Sequence, residues 1–264
     1  MKIAVIGCGA MGSAFAKHFA KKNTVILCDH DPKKGKLLAD TIGGSFQENP
    51  AKAVADADII LLATKPKDLA SIAHDTAAAF KKGKILISIL AGTPIATLKE
   101  HFPLASVVRT MPNMGLICGA GVMGLVEDKG LQAESKRAVD ALMEGMGLNL
   151  WMSENKVEAI TALSGSGIGF VLVIIEAMID GGVHLGFTSD EAREIVLKTM
   201  EGAIALMRES GKHPAELKLQ ISSPGGTTIA GLQVMEETGV RSGIIKTLTA
   251  CHEKALNMMK RLEK

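Results

Sequence analysis

The sequence of 264 residues has no tyrosine, a single tryptophan (Trp151) and only 3% aromatic residues. The missing phenol matters for chemistry, because a reductase that depends on a Tyr-x-x-x-Lys acid cannot be built from this chain. Cysteine is sparse as well. Cys8, Cys28, Cys118 and Cys251 never fall into CxxC spacing, so they read as reduced, mostly buried thiols rather than a disulfide frame or a zinc site. The histidines at 18, 30, 74, 101, 184, 213 and 252 show no ligand spacing, and the adjacent residues of "CHE" (251–253) point to different sides of a helix. No metal is expected. The net charge is only +2 and basic residues do not interleave with aromatics, so neither nucleic acid nor an acidic membrane is expected as a partner. The longest apolar run, "GFVLVII" from Gly169 to Ile175, stops at Glu176 and by itself is too short to span a bilayer. After Met1-Lys2 the chain enters a strand-like run at once, so no signal peptide is expected and the reading is cytoplasmic.

What is present suits a folded α/β protein. Hydrophobic residues make up 47% and charged residues 22%, enough apolar material for a real core. Short β-branched or leucine-rich runs at 2–7, 24–29, 58–64, 84–90, 105–110 and 121–126 have strand length and are apolar on both faces, as parallel strands covered by helices should be. Helical patterns lie between them at 11–21, 32–42, 66–80, 94–101 and 131–146, with Pro32, Pro66 and Pro94 at tolerated first-turn positions. The rhythm predicts an N-terminal Rossmann-type doubly wound sheet over residues 1–153. After "LNLWMSE" (148–154) no convincing strand follows. Helices are expected near 154–163, 167–185, 188–210, 214–221, 227–237 and 240–262, forming an all-α domain over 154–264. In the last helix Val240, Ile244, Leu248, Cys251, Ala255, Met258 and Leu262 make one apolar stripe. The 167–185 segment is apolar nearly all round, which is more than so small a domain can bury alone and predicts cover by a second subunit.

"VIGCGAMG" sets Gly7, Gly9 and Gly12 in GxGxxG spacing between a strand and a helix. Gly7 permits the tight turn, Gly9 lets backbone approach a pyrophosphate, and Gly12 lets the helix pack on the strand. The helix N-terminus offers N–H groups and positive dipole to the phosphates. Ile6, Cys8, Ala10 and Met11 complete this candidate dinucleotide loop. Asp29 ends the second strand, where a carboxylate holds ribose hydroxyls and favours NAD. However, Lys33, Lys34 and Lys36 follow and suit a ribose phosphate, so NAD and NADP stay level. "ATKPKD" brings Ala63, Thr64, Lys65 and Pro66 to the same sheet edge. Lys65 suits a ligand contact or a solvated loop lysine equally, and Pro66 starts the next helix. "RTMPNM" brings Met111 and Asn113 there too. Asn113 suits either a nicotinamide amide or its own turn, and Met111 either the nicotinamide wall or core.

A second glycine-rich stretch, "SPGGTTIAG" from Ser223 to Gly231, precedes a helical pattern. A helix beginning there presents unpaired backbone N–H groups, unshielded at Gly225 and Gly226, with Thr227 and Thr228 beside them. That suits a small carboxylate. The plainer alternative is a helix capped by Ser223 or Thr227.

"HPAELKLQISSPGGTTIAGLQVMEE" (213–237) closely resembles the C-terminal signature of pyrroline-5-carboxylate reductases, the last enzymes of proline synthesis. The resemblance runs through the chain in order. "IGCGAMG" resembles the family's cofactor loop, "ATKP" its "AVKP", "VVRTMPN" its "RxMPN", "LSGSG" (163–167) its "SGSGPA", and "EAMIDGGVHLG" (176–186) the helix that follows. The resemblance implies a Rossmann domain followed by helical domains that interlock as homodimers and assemble further, and use of NADPH or NADH, the former slightly preferred. It implies that the substrate carboxylate rests on Ser223, Gly225, Gly226, Thr227 and Thr228, with Ser166 a further substrate contact and the Thr228 hydroxyl near the ring nitrogen as the catalytic group. Reduction of a protonated cyclic imine discharges a cation and needs no strong acid, which fits a chain without tyrosine. The chain departs from the pattern at Ile168 and Gly169, where proline and alanine are usual, and at Met114, usually threonine. Substrate preference and the contact role of Ser166 stay open there, and Ser164 or Ser166 serves equally as a helix N-cap. The rivals are a related cyclic-imine or β-hydroxyacid reductase, for which Lys156 is the nearest candidate catalytic lysine, and a dinucleotide-sensing module, which would not need the second glycine loop.

Overall fold

The structure is a computed structural model and describes residues 1–262. It contains two compact units. The first comprises residues 1–166 with the end of the last helix, from His252 on, and the second comprises residues 167–251.

The first unit is an eight-stranded sheet in the order β3-β2-β1-β4-β5-β6-β7-β8. The strands are β1 (Lys2–Ile6), β2 (Thr24–Cys28), β3 (Ser45–Phe46), β4 (Ile59–Leu62), β5 (Ile85–Ser88), β6 (Ser106–Pro112), β7 (Gly121–Glu127) and β8 (Gly147–Trp151). Its helices are α1 (Ala10–Phe19), α2 (Pro32–Ile42), α3 (Pro50–Asp56), α4 (Leu69–Thr76), α5 (Ile95–His101), α6 (Ala133–Met143) and α7 (Val157–Ile160). Alternate residues of each strand feed opposite faces. Ile3 and Val5 join Phe15, Phe19, Leu142 and Met143 under α1 and α6. Ala4, Ile60 and Leu62 join Val54, Ala73, Leu98 and Phe102 under α3, α4 and α5.

β1 to β6 are parallel, but β7 runs antiparallel to β6, pairing Val108 with Glu127 and Pro112 with Met123, and β8 is parallel to β7. The expectation of an all-parallel sheet fails at this point because residues 113–120 are too few for a crossover helix. They form a short 3₁₀ segment, Met114–Cys118, that returns the chain directly. β3 and α3 were not anticipated, although Asn49 accepts from the Lys52 N–H and Pro50 opens α3, a legible helix start. The 66–80 pattern is α4 flanked by the 3₁₀ turns Pro66–Asp68 and Ala77–Ala79.

The second unit carries α8 (Gly167–His184), α9 (Ser189–Ser210), α10 (Pro214–Ile221), α11 (Thr227–Glu237) and the first half of α12 (Val240–Leu262). A capping box between Thr188 and Glu191 starts α9, and Gly211 at φ 63° ends it. Gly182 permits the close crossing of α8 and α9, since a Cβ there would lie 2.8 Å from the Ala192 Cβ. Little is buried in this unit. Ala192, Val196 and Leu217 are its buried apolar side chains among the described residues, while Val171, Leu172, Val173, Ile204 and Ile245 are each at least half exposed. Residues Glu154–His184 read as a continuous 31-residue helix, long and apolar enough by length and composition to cross a membrane, with only 11% of its apolar window buried. The helix runs on through Glu176 and back through residues 154–166, so the short apolar run at 169–175 understated its reach.

Candidate active site

The neighbouring strands β1 and β4 send their connections to opposite faces, because α1 packs with one core cluster and α4 with the other. Their carboxyl ends therefore border the crevice at which ligands bind in open α/β sheets. Gly7 turns there at φ 100°. Its N–H donates to the Cys28 carbonyl at 2.8 Å, and a Cβ on Gly7 would lie 2.6 Å from the Ala63 carbonyl oxygen. A Cβ on Gly12 would come within 1.9 Å of the Gly7 oxygen. These two glycines are demanded by the protein itself. Gly9 is different, because a Cβ there would meet nothing within 4 Å. It is the N-cap of α1, without a side-chain cap and without an acidic residue in the first turn. The first intrahelical bond runs from Ser13 N–H to the Gly9 carbonyl, which leaves the amides of Ala10, Met11 and Gly12 without intrahelical partners.

The other nominated residues divide sharply. The Ile6 carbonyl accepts from Ala63 N–H at 2.8 Å and so joins the two loops. The Cys8 N–H points back into the protein, donating to Asp29 Oδ2 at 2.6 Å, while Asp29 Oδ1 accepts from Asp31 N–H at 2.9 Å. Thr64 carries a buried hydroxyl with no partner, beside the Gly7 turn. Lys65 is exposed; its carbonyl accepts from Asp68 N–H, and Pro66 opens a 3₁₀ turn. An uncapped helix N-terminus, open space above Gly9 and an orphaned hydroxyl on the adjoining loop together fit a dinucleotide diphosphate.

Asn113 is committed within the protein. Its Oδ1 accepts from the N–H groups of Gly115 and Val122, and its Nδ2 donates to Ser164 Oγ at 2.9 Å. Ser164 belongs to a π-helical turn, Thr161–Gly165, closed by Ser166 N–H donating to the Thr161 carbonyl at 2.8 Å. Neither Ser164 nor Ser166 is an N-cap, because the helix passes through the turn without restarting. Such turns concentrate at functional sites. Half-buried Met111 lies against it, its Cε 3.0 Å from where a Gly165 Cβ would be.

Arg109 was quoted within its motif and given no role, yet it organises this end of the sheet. Only 2% exposed, it donates from Nη1 to Glu154 Oε1 at 3.0 Å and from Nη2 to Glu158 Oε1 at 2.9 Å. Glu154 Oε1 also accepts from Ile95 N–H. The guanidinium thus ties residues 154–158 to β6 and α5, directly ahead of the π turn. The partners lie 45 and 49 residues downstream, so no local pattern announces them.

In the second unit, α10 and α11 flank the loop Ser222–Gly226. Gly225 adopts φ 70°. The N-cap of α11 is Gly226, with no side-chain cap, so capping by Ser223 or Thr227 is not what the loop does. Gly226 N–H donates to the Ser223 carbonyl at 3.0 Å. A Cβ on Gly226 would strike Ser223 Oγ at 2.4 Å. The first amides of α11, those of Thr227, Thr228 and Ile229, have no intrahelical acceptor. Thr227 is exposed and Thr228 half-buried beside them. The arrangement suits a small anion, with hydroxyls at its rim.

An open groove of the first unit, about 800 Å³ and lined by Ile95, Lys99, Asp128 and Trp151, contains none of the nominated residues. Two of its lysines are paired, Lys99 with Asp128 and Lys136 with Glu127, each at 3.0 Å. No cluster of metal-ligating side chains occurs among the described residues. Lys156, the candidate lysine of a β-hydroxyacid reductase, is exposed in a 3₁₀ turn.

Residues 154–258 match the family described as "Pyrroline-5-carboxylate reductase dimerisation", and residues 2–92 match "NADP oxidoreductase coenzyme F420-dependent". The pyrroline-5-carboxylate reductase of Aquifex aeolicus is 34% identical over 260 residues, covering 97% of this chain and 96% of its own. The chain belongs to the pyrroline-5-carboxylate reductase family. Pyrroline-5-carboxylate reductase 3 of Danio rerio is 36% identical, with 97% of this chain and 90% of that protein covered. The NADP-bound pyrroline carboxylate reductase of Plasmodium falciparum superposes with a TM-score of 0.88 at 26% identity, covering 98% of both chains. The dimerisation match takes in both the long apolar helix and the second glycine loop. The matched family is one of dimerisation, and its match covers the exposed apolar faces of α8 and α9. It also confirms the resemblance drawn from the motifs, with a Rossmann-type sheet followed by a helical dimerisation region and use of NAD(P).

Proposed function

We propose that the protein reduces 1-pyrroline-5-carboxylate to L-proline with NADPH or NADH, and that the two uncapped glycine cradles serve that single reaction. The observation that carries the reading is the bare N-terminus of α11 at Gly226, bordered by the Thr227 and Thr228 hydroxyls, on a chain whose α1 offers a second bare N-terminus at Gly9.

The nicotinamide, when bound, supplies a hydride. Everything else falls to the chain. The α1 amides and Gly9 hold the diphosphate, and Thr64 offers the hydroxyl that lacks a partner. The α11 amides and Gly225 hold the substrate carboxylate. That anchor fixes the ring, so most of the rate comes from orientation and exclusion of water. The Thr228 hydroxyl accompanies the ring nitrogen. The substrate iminium already carries its proton, and a new C–H bond converts it to a neutral secondary amine. No acid has to deliver a proton in that step, and none of strength is offered. Asn113 holds the π turn instead of a ligand, since both ends of its amide are taken. Ser166 retains a free hydroxyl role toward substrate, next to the departures Ile168 and Gly169.

The same reading takes the protein as a homodimer through the helical region, assembling further into a larger ring. It places the reaction in the cytoplasm, a reducing compartment that suits four free cysteines. The test is the oxidation of NADPH and of NADH in the presence of pyrroline-5-carboxylate, beside a six-membered imine analogue. Turnover with the five-membered imine is expected. Folded protein that oxidises neither coenzyme would favour the dinucleotide-sensing module.

A further inference from the structure

Alternate residues of a strand share a face. At the end of β6 these are Arg109, Met111 and, just past the strand, Asn113, and all three hold one segment of chain, residues 154–166. Arg109 binds Glu154 and Glu158 at 3.0 and 2.9 Å. Asn113 donates to Ser164 Oγ at 2.9 Å. Met111 Cε lies 3.0 Å from where a Cβ on Gly165 would be. The neighbouring strand makes room for the same segment. Gly124 of β7 pairs with Met111, and a Cβ on Gly124 would come within 3.2 Å of Cδ1 and Cγ2 of Ile160. The buried Ile160 is therefore seated over a bare glycine.

The segment is not a plain α-helix. Ser166 N–H reaches back to the Thr161 carbonyl at 2.8 Å and closes the π turn Thr161–Gly165. A π turn holds one residue more than an α turn, so losing it or moving it by a residue rotates the next side chain by about 100°. The direction of the Ser166 hydroxyl is thus decided by where the turn closes.

Stability alone does not explain an ion pair at this place. A buried guanidinium and carboxylate give up their water, and apolar side chains of similar volume often hold two elements together as firmly. Apolar contact, however, tolerates a slide along the helix. A guanidinium fork that meets Glu154 with one nitrogen and Glu158 with the other does not, because each bond has a direction and a length.

We infer that Arg109 and Glu158 are positioning residues for the reduction: the buried pair fixes the register of residues 154–166 against β6, so that the π turn closes at Thr161 and presents the Ser166 hydroxyl to the substrate. The inference rests on the imine-reductase reading and on the Ser166 contact within it. The test separates stability from turnover. Wild type and variants are compared for kcat with NADPH and pyrroline-5-carboxylate, for NADPH affinity by titration calorimetry, and for unfolding in urea.

The double variant Arg109→Met with Glu158→Leu is expected to unfold at higher urea than Arg109→Met alone and to bind NADPH within about twofold of wild type. Its kcat should nevertheless be lower than that of wild type by about tenfold to a hundredfold, because the reacting groups are misplaced. In a Ser166→Ala background the same double change should lower kcat by less than about twofold further, since both changes act on one group. If the double variant does not fold, Glu158→Gln replaces it. Its weaker neutral bond should lower kcat by about threefold to tenfold, and again by less than about twofold in the Ser166→Ala background. A folded variant with wild-type kcat would reduce the pair to a structural tie and overturn the inference. Losses that multiply independently with Ser166→Ala would overturn it too, because the pair would not act through Ser166. Folded wild-type protein that reduces no imine would overturn the proposed function, and this assignment with it.

Discussion

Asn113 Nδ2 donates to Ser164 Oγ at 2.9 Å, and so connects the end of β6 to the π turn of the following helical segment. The same side chain accepts from the N–H groups of Gly115 and Val122 at 3.1 and 3.0 Å. One half-turn of chain, the reversal into β7, and the π turn all depend on this amide. Asn113→Ala leaves two amides and a hydroxyl without partners, in a position only 7% exposed. The expected loss of stability is about 2–3 kcal/mol, read as a lower urea midpoint with an unchanged slope. Asn113→Asp should be no better, because it turns an acceptor toward the Ser164 carbonyl.

Arg109, itself 2% exposed, binds two carboxylates, of which Glu158 is buried with it and Glu154 is 36% exposed. Arg109→Met would strand the buried Glu158 and is expected to cost about 3–5 kcal/mol. Replacing both Arg109 and Glu158 by apolar residues should recover part of that loss. A single Arg109→Met variant as stable as wild type in urea would remove the clamp from the account.

Both glycine loops could be located in the sequence, for a definite reason. Gly12 is required by its contact with Gly7 a few residues away, and Gly7 and Gly225 by their own positive φ, so local spacing carries the information. The direction of β7 could not be located in this way, because an apolar run has the same composition whichever way it pairs. The partners of Arg109, and the bond from Cys8 N–H to Asp29 Oδ2, are long-range facts that composition and spacing leave silent. The π turn escaped because "LSGSG" reads locally as a loop, whereas Ser166 N–H closes it from within a continuing helix.

Cys8 and Cys28 are buried thiols, pushed up to about 12 and about 11 chiefly by desolvation, with the Asp29 carboxylate adding to both. At pH 8 both are neutral and weak nucleophiles. A disulfide reagent at that pH should label the exposed Cys118 promptly and leave Cys8 and Cys28 unmodified until denaturant is added. Mass mapping of the labelled peptides checks this, and fast native labelling of Cys8 would contradict the buried position of the loop.

Leu172 is 57% exposed and Val173 63% exposed on α8, so neither contributes to the core of a single chain. Leu172→Glu should leave unit 1 folded and still able to bind coenzyme, while light scattering reports a smaller assembly than wild type. An unchanged mass would move the subunit contact away from this face of α8.

The most direct measurement is the effect of Thr228→Ala on turnover compared with its effect on coenzyme affinity. Thr228 lies at the start of α11 in the second unit, apart in sequence from every coenzyme-loop residue. The rate of pyrroline-5-carboxylate reduction is expected to fall by about tenfold or more, while the dissociation constant for NADPH stays within about twofold. Undiminished turnover in the folded variant would contradict the assignment of the second glycine cradle to the reacting imine.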